Sequence, residues 1–117
     1  MPTTPLLDTA QLLERLEDDK ELLEEIFTVF IGEAPERRTK IKAALQGMDM
    51  DRMVQLAHSL KGASGTLGAE PLRQASSALE TAARAKDAGA VAANAVRVLD
   101  LLARTVEFMA GVEVASL

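Results

Sequence analysis

His58 is the only histidine of the chain, and the residues that follow it predict a nucleophile that another molecule approaches closely. A neutral imidazole nitrogen is a competent nucleophile near pH 7. Gly62 and Gly65 follow in the next two turns, although each glycine costs roughly 1 kcal/mol relative to alanine inside a helix. A helical pattern that keeps glycines beside an imidazole therefore indicates that a second molecule reaches the backbone there.

The apolar residues around His58 predict that its side chain faces solvent. At about 100° per residue, one narrow stripe of the helix would face the core, and it contains Met53, Leu56, Ala57, Leu60, Ser64 and Leu67. His58 is turned from the centre of that stripe by roughly 150°. Gly62 and Gly65 lie on the same outward side, and Lys61 lies on the flank nearer the core. The imidazole is thus predicted to stand beside an open stretch of backbone, within reach of a cation.

The segment from His58 to Gly68 resembles the phosphoacceptor helix of histidine phosphotransfer (HPt) domains. The shared features are the histidine and, after it, Leu60, Lys61, Gly62, Ser64, Leu67 and Gly68. HPt domains are small helical bundles that carry phosphoryl groups in bacterial and plant phosphorelays. In helix order and spacing the resemblance extends from about Leu12 to Met109. It implies a phosphoryl carrier with a covalent phosphohistidine intermediate, which is not an enzyme and has no autokinase activity of its own.

The resemblance also implies roles for three side chains. The distal ring nitrogen of His58 would accept a phosphoryl group from a receiver-domain aspartate and pass it to another receiver, while Lys61 would stabilise the phosphoryl charge. Glu80 occupies the place where the family has a Gln or Glu bonded to the proximal ring nitrogen, which would orient the imidazole. From helical geometry alone, Glu80 lies about 105° from the apolar stripe of its helix. The alternative is a surface ion pair with Arg84, four residues on.

Partners and docking residues follow from the same resemblance. Response-regulator receiver domains and a sensor or hybrid histidine kinase are the expected partners, and the receiver is expected to bring Mg²⁺, so that this chain binds no cofactor itself. Val54, Gly62 and Gly65 are predicted to dock the receiver. Tight contact between helices is the alternative role of the two glycines. No metal site is expected, because one His and no Cys cannot supply the usual ligands.

Composition limits the classes of protein to which the chain can belong. Its 117 residues fit a single domain, and the net charge of −5 argues against a nucleic-acid binder. No apolar run approaches the length of a membrane span, and the N-terminus lacks the features of a signal peptide. We therefore expect no membrane association and a cytoplasmic location.

Five helical segments predict an all-α fold, an antiparallel up-down four-helix bundle with a short additional N-terminal helix. We expect one domain over residues 1–117 with an ordered core of about 8–110, and loose ends at Met1 to Pro5 and Val112 to Leu117. Few β-branched and aromatic residues, with three Phe and no Trp or Tyr, agree with helices.

Capping residues and breaks mark the ends of these helices. Helix starts are predicted at two capping boxes, Asp8 with Gln11 and Asp18 with Glu21, at the cap Asp49, and at Pro71 in a first turn. Gly47 and Gly68 are the predicted ends, and Pro35 is predicted to kink or break the second segment near Ile31. The fourth helix buries Leu72, Ala75, Leu79, Ala82 and Ala83. After a break at Ala88-Gly89, the fifth buries Ala92, Val96, Leu99, Leu102, Ala103 and Val106.

Three functions of different classes remain open from the sequence. The first is a phosphorelay intermediate that carries a phosphoryl group on His58. The second is the phosphoacceptor part of a larger hybrid or chemotaxis-type sensor kinase. The third is a helical adaptor that binds a partner through the His58 face without being phosphorylated.

Overall fold

The computed structural model describes residues 5–117 and folds them into five α-helices followed by a short 3₁₀ turn at Val114–Ser116. The helices are α1 (Thr9–Arg15), α2 (Lys20–Gln46), α3 (Met50–Leu67), α4 (Glu70–Arg84) and α5 (Ala88–Ala110). Residues 5–117 contain no β-strand. The predicted all-α class is therefore confirmed.

The four long helices share one apolar core. The main contacts join α3 to α4, α4 to α5, α5 to α2 and α2 to α3, and α1 lies against α2. The most extensive of these contacts is the one between α3 and α4, which carry His58 and Glu80. The largest fully buried apolar side chains come from all four long helices and are Leu23, Ile41, Met53, Leu60, Leu72, Leu79, Val91 and Val98.

Local capping fixes the ends of the acceptor helix α3. The Asp49 carboxylate accepts a hydrogen bond from the Arg52 amide at 3.0 Å, as predicted for an N-cap. Gly68 ends the helix in the left-handed conformation, with φ of 71°, which glycine adopts without steric penalty. Only Gly68 and the buried Ala69 connect α3 to α4, and Pro71 lies in the first turn of α4 as predicted.

The start of α2 lies one residue later than predicted. Asp19, not Asp18, is the cap, and its carboxylate accepts from the Leu22 amide at 3.0 Å. Glu17 and Asp18 have positive φ angles of 56° and 60°. Asp18 cannot cap the helix because its left-handed backbone forms the turn that leads into it.

Pro35 does not break α2, which is continuous from Lys20 to Gln46, so the predicted break near Ile31 is wrong. Proline removes one backbone hydrogen bond, but its ring is exposed on the outer side of this helix. Buried apolar residues lie on both sides of it along one face of α2: Leu23, Phe27, Phe30, Ala34, Ile41 and Ala44. The packing of these residues against the core, before and after Pro35, keeps the helix continuous.

The predicted buried stripe of α5 is wrong in part. Asp87 caps the helix at Ala88, so the break between α4 and α5 lies at residues 85–87 and not at Ala88-Gly89 as predicted. The buried residues of α5 are Val91, Ala95, Val98, Leu102, Thr105 and Met109. Of the predicted stripe Leu102 is buried, Leu99 and Val106 pack partly buried against the core, and Val96 is 63% exposed. Thr105 enters the core because its hydroxyl donates to the Leu101 carbonyl at 2.7 Å, which satisfies the polar atom within its own helix.

Packing continues slightly beyond the predicted ordered core of residues 8–110. Leu7 is buried, and Val112 and Val114 pack partly buried against the core. Arg15 of α1 donates to the Thr66 carbonyl at 3.2 Å and so ties α1 to the end of α3. The prediction of a loose N-terminal end concerns Met1 to Pro5, of which residues 1–4 lie outside the described residues.

Candidate functional site

The imidazole of His58 stands on the exposed face of α3, with 65% of the side chain accessible to solvent. Its Nδ1 atom lies 3.1 Å from Oε2 of Glu80 on α4. In the neutral tautomer that carries its proton on Nδ1, the ring donates to this carboxylate and Nε2 keeps its lone pair. The arrangement therefore provides an exposed nucleophilic nitrogen, Nε2, on a ring that Glu80 orients through Nδ1.

Glu80 is the centre of the polar network at this site. Only 7% of its side chain is exposed, and Lys61 Nζ lies 2.7 Å from Oε1. Arg84 donates to Oε2 from Nη2 at 2.8 Å and from Nε at 3.3 Å. These hydrogen bonds, from Lys61 first and then Arg84, outweigh the effect of burial and lower the pKa of Glu80 from 4.5 to about 2. Glu80 is therefore a carboxylate at neutral pH.

The sequence presented the contacts of Glu80 with His58 and with Arg84 as alternatives, and both are present. They use the same carboxylate oxygen, Oε2. Lys61 is half-buried, and its ammonium group is bound to Glu80 on the flank of α3 nearer the core. Sequence reasoning identified each of these residues but missed the sharing of one oxygen, because it depends on how α3 and α4 pack.

The predicted docking residues have different surroundings. Gly62 is exposed, and a Cβ atom built on it would meet nothing within 4 Å. At Gly65 the same atom would lie 3.5 Å from the Arg73 side chain of α4, which is ordinary van der Waals contact. Val54 is partly buried and lines a shallow groove with Arg84 between α3 and α4. Open backbone therefore occurs at Gly62, whereas Gly65 lies beside a neighbouring helix.

An apolar groove of about 360 Å³ lies on the other side of α3, between α3 and α2. Val29 and Leu22 of α2 are 59% and 38% exposed, and Ala63 and Thr66 of α3 complete this part of its wall. Sequence reasoning missed this surface. Its signal was two large apolar residues of α2 outside the buried stripe, but that signal does not show which helix lies beside them.

Residues 5–117 contain neither a cluster of metal-binding side chains nor a helix that could span a membrane. In that range no group of three or more His, Cys, Asp or Glu side chains is arranged to hold a metal ion. None of the helices there combines the length and the apolar character that a bilayer span requires.

Comparison with known proteins gives one family and two similar structures. The family model described as Hpt domain matches residues 25–108. The crystal structure of histidine-containing phosphotransfer protein B from Pseudomonas aeruginosa PAO1 is 25% identical, with a TM-score of 0.85 over 98% of this chain and 99% of that one. The HPT domain of a sensor hybrid histidine kinase from Shewanella is 22% identical, with a TM-score of 0.82 over 96% of each chain, and bears on the fold alone. Comparison with curated protein sequences finds no match.

Proposed function

The chain belongs to the Hpt domain family and is a histidine phosphotransfer protein of a phosphorelay, and on this premise we propose that His58 is its phosphoacceptor. The observation that carries this proposal is the hydrogen bond between His58 Nδ1 and Glu80, which leaves the exposed Nε2 as the reactive nitrogen. His58 is also the only histidine of the chain.

The proposed reaction is reversible phosphoryl transfer to Nε2. The Nε2 lone pair attacks the phosphorus of a receiver phosphoaspartate in line, the new N–P bond forms, and the bond from phosphorus to the aspartyl oxygen breaks. The aspartate leaves as a carboxylate, and the proton on Nδ1 stays where it is. The reverse reaction with a second receiver passes the phosphoryl group on.

Glu80 supports this reaction through charge as well as orientation. A ring that keeps its proton on Nδ1 while Nε2 bonds to phosphorus becomes positively charged. The Glu80 carboxylate lies 3.1 Å from that nitrogen and is already ionised, so it stabilises the developing charge without reorganisation.

Lys61 and the receiver supply the positive charge on the phosphoryl side. We propose that Lys61, one turn from His58, pairs with phosphoryl oxygens as a point charge. Mg²⁺ comes from the receiver in this scheme, and the chain binds no cofactor of its own. Its role is that of a carrier without autokinase activity, supplied ultimately by a sensor or hybrid histidine kinase.

The receiver docks on the His58 face, which begins at the open backbone of Gly62 and continues over the apolar groove to Val29 of α2. The support for this occupant is continuity, since Ala63 of the groove is next to Gly62 on α3 and Thr66 follows one turn later. Val54 and Gly65 lie on the α4 side of the same face. A receiver seated there brings its aspartate to His58 without meeting a side chain at Gly62.

Further parts of the proposal concern the whole chain. We propose that α2 to α5 form an antiparallel up-down four-helix bundle with α1 as an additional helix, in one domain of residues 1–117 located in the cytoplasm. A second candidate is the phosphoacceptor domain of a larger hybrid kinase. The Shewanella structure, an HPT domain of a sensor hybrid histidine kinase, shows that this fold also occurs within such kinases.

Label transfer from receivers tests the proposal directly. The chain is incubated with each phosphorylated receiver of its source genome, and radiolabel is followed at short times. We expect rapid transfer from at least one receiver, giving label that is acid-labile and alkali-stable. Absence of such label with every receiver would overturn the proposal and leave two functions, the acceptor domain that a kinase phosphorylates and the non-phosphorylated adaptor.

A further inference from the structure

Both oxygens of the Glu80 carboxylate are bound by cations, and the two cations come from different helices. Lys61 of α3 holds Oε1 at 2.7 Å, and Arg84 of α4 holds Oε2 at 2.8 Å. His58 Nδ1 contacts the oxygen that Arg84 holds. The carboxylate is therefore fixed at two points, and the point nearer the imidazole is the one bound by Arg84.

This second point matters because a carboxylate rotates easily. The terminal torsion of a glutamate side chain has a broad preference and does not by itself fix the direction of either oxygen. With Lys61 as the only cation, the carboxylate can turn about Oε1 and move Oε2 away from Nδ1. The proton on Nδ1 then has no fixed acceptor, and both neutral tautomers of His58 become populated.

We infer that Arg84 is a positioning residue, which holds Oε2 of Glu80 against Nδ1 of His58 and thereby keeps Nε2 free as the nucleophile. The inference rests on the proposed function of His58. It gives a role in phosphoryl transfer to a side chain that, by sequence spacing alone, forms only an ion pair between residues four apart.

A second ion pair of the same spacing shows why this one differs. On α5, Arg104 Nε lies 3.1 Å from Asp100 Oδ2, and the two side chains are 63% and 55% exposed. Arg84 is almost equally exposed, at 62%, but its partner Glu80 is 7% exposed and is shared with His58. Arg104 thus matches Arg84 in type, spacing and exposure, and differs in having no contact with the imidazole network.

Three variants test the inference. Arg84→Met keeps the apolar stem and removes the charge and every donor, Arg84→Lys restores a cation, and Arg104→Met is the matched control. The first readout is the tautomer ratio of His58, from ring-nitrogen NMR of the unphosphorylated protein at alkaline pH. The second is the rate at which label is accepted from a phosphorylated receiver. Circular dichroism checks that each variant remains folded.

For Arg84→Met we expect a lower fraction of the Nδ1-protonated tautomer and acceptance about fivefold slower, because the nucleophile is less well oriented. Arg84→Lys should recover part of both effects, and Arg104→Met should match the wild type. A wild-type tautomer ratio in folded Arg84→Met would overturn the inference, whatever its transfer rate. The NMR readout needs no receiver, so a failure of the proposed function appears separately, as the absence of label on the wild-type chain.

Discussion

The two sides of α3 that flank His58 differ in chemistry. Toward α4, a buried carboxylate is bound by Lys61, Arg84 and the imidazole itself. Toward α2, an apolar groove is open to solvent and Val29 is 59% exposed. The α4 side is complete within the chain, whereas the α2 side leaves apolar surface that a partner can bury. We infer that the α4 side prepares the nucleophile and that the α2 side supplies the apolar part of the docking surface.

Replacing His58, which lies between the two sides, should have the largest effect on phosphoryl acceptance. We expect His58→Gln to abolish phosphoryl acceptance, because no other imidazole is present. Its exposed position predicts a change in stability within about 0.5 kcal/mol. Radiolabel transfer and thermal unfolding measure the two effects, and label on the variant would refute the assignment of the nucleophile.

Glu80→Ala should remove the carboxylate network on the α4 side of α3 and leave the apolar groove on the α2 side unchanged. We expect acceptance to fall about a hundredfold, because the ring loses both its orientation and a compensating charge. Binding of an unphosphorylated receiver, measured by titration calorimetry, should stay close to that of the wild type. Loss of receiver binding in a folded variant would show that the two sides do not have separate roles.

Acid should weaken the α4 side through Glu80. Its pKa is lowered in the folded protein, from 4.5 to about 2, so its contribution to stability is complete above about pH 4.5 and is lost as the pH falls toward 2. Allowing for the exposure of its cationic partners, this contribution is about 2 kcal/mol. Urea unfolding followed by circular dichroism should show the wild type losing about that much more than Glu80→Gln between pH 6 and pH 2.5. Equal losses in both proteins would show that the network does not lower the pKa of Glu80 in the folded protein.

Gly62→Gln should affect the α2 side and the docking surface alone. The added side chain has room in the free protein and raises helix propensity. Because it would collide with a docked receiver, we expect the rate of phosphoryl transfer at low receiver concentration to fall about tenfold. Gly89→Gln is the control, because Gly89 is also an exposed helical glycine, an added Cβ there would meet only Asp87 at 3.7 Å, and it lies on α5, which does not line the groove. Transfer that is unchanged in Gly62→Gln would remove Gly62 from the docking surface.

Val29→Glu should give the smallest of these effects. It places a charge in the apolar groove, and we expect about threefold weaker receiver binding with an unchanged His58 tautomer ratio. Val96→Glu on α5 is the control, because Val96 is similarly exposed at 63% and lies outside the groove. An equal effect of both variants would attribute the loss to charge in general.

The sequence was most informative where one helical face is uniform. The α3 pattern placed His58 outward, because apolar residues recur at helical spacing on one side only. In α5, alanine, valine and leucine occupy two neighbouring faces, so the same reasoning selected a stripe that includes the exposed Val96. Burial there is decided by the neighbouring helices α2 and α4.

Contacts between side chains of different helices could not be predicted from the spacing of residues along the sequence. The Glu80 contact with His58 followed from a family resemblance, and its geometry appears in the structure. The sharing of Oε2 with Arg84 depends on the rotation of α4 against α3, and the groove depends on α2 lying beside Ala63. A single sequence gives the face of each helix but not the pairing of faces.

The short connection between α3 and α4 limits where this chain tolerates changes in length. His58 and Glu80 each lie about ten residues from Gly68 and Ala69, so these two residues set the register of the ring against the carboxylate. A residue inserted within α4 before Glu80 would turn the carboxylate by about 100° around the helix. The connections at residues 47–49 and 85–87 do not lie between His58 and Glu80, so a change in length there leaves this register as it is. Insertions that keep the caps Asp49 and Asp87 therefore belong at those two connections, whereas the α3–α4 connection acts as a fixed spacer.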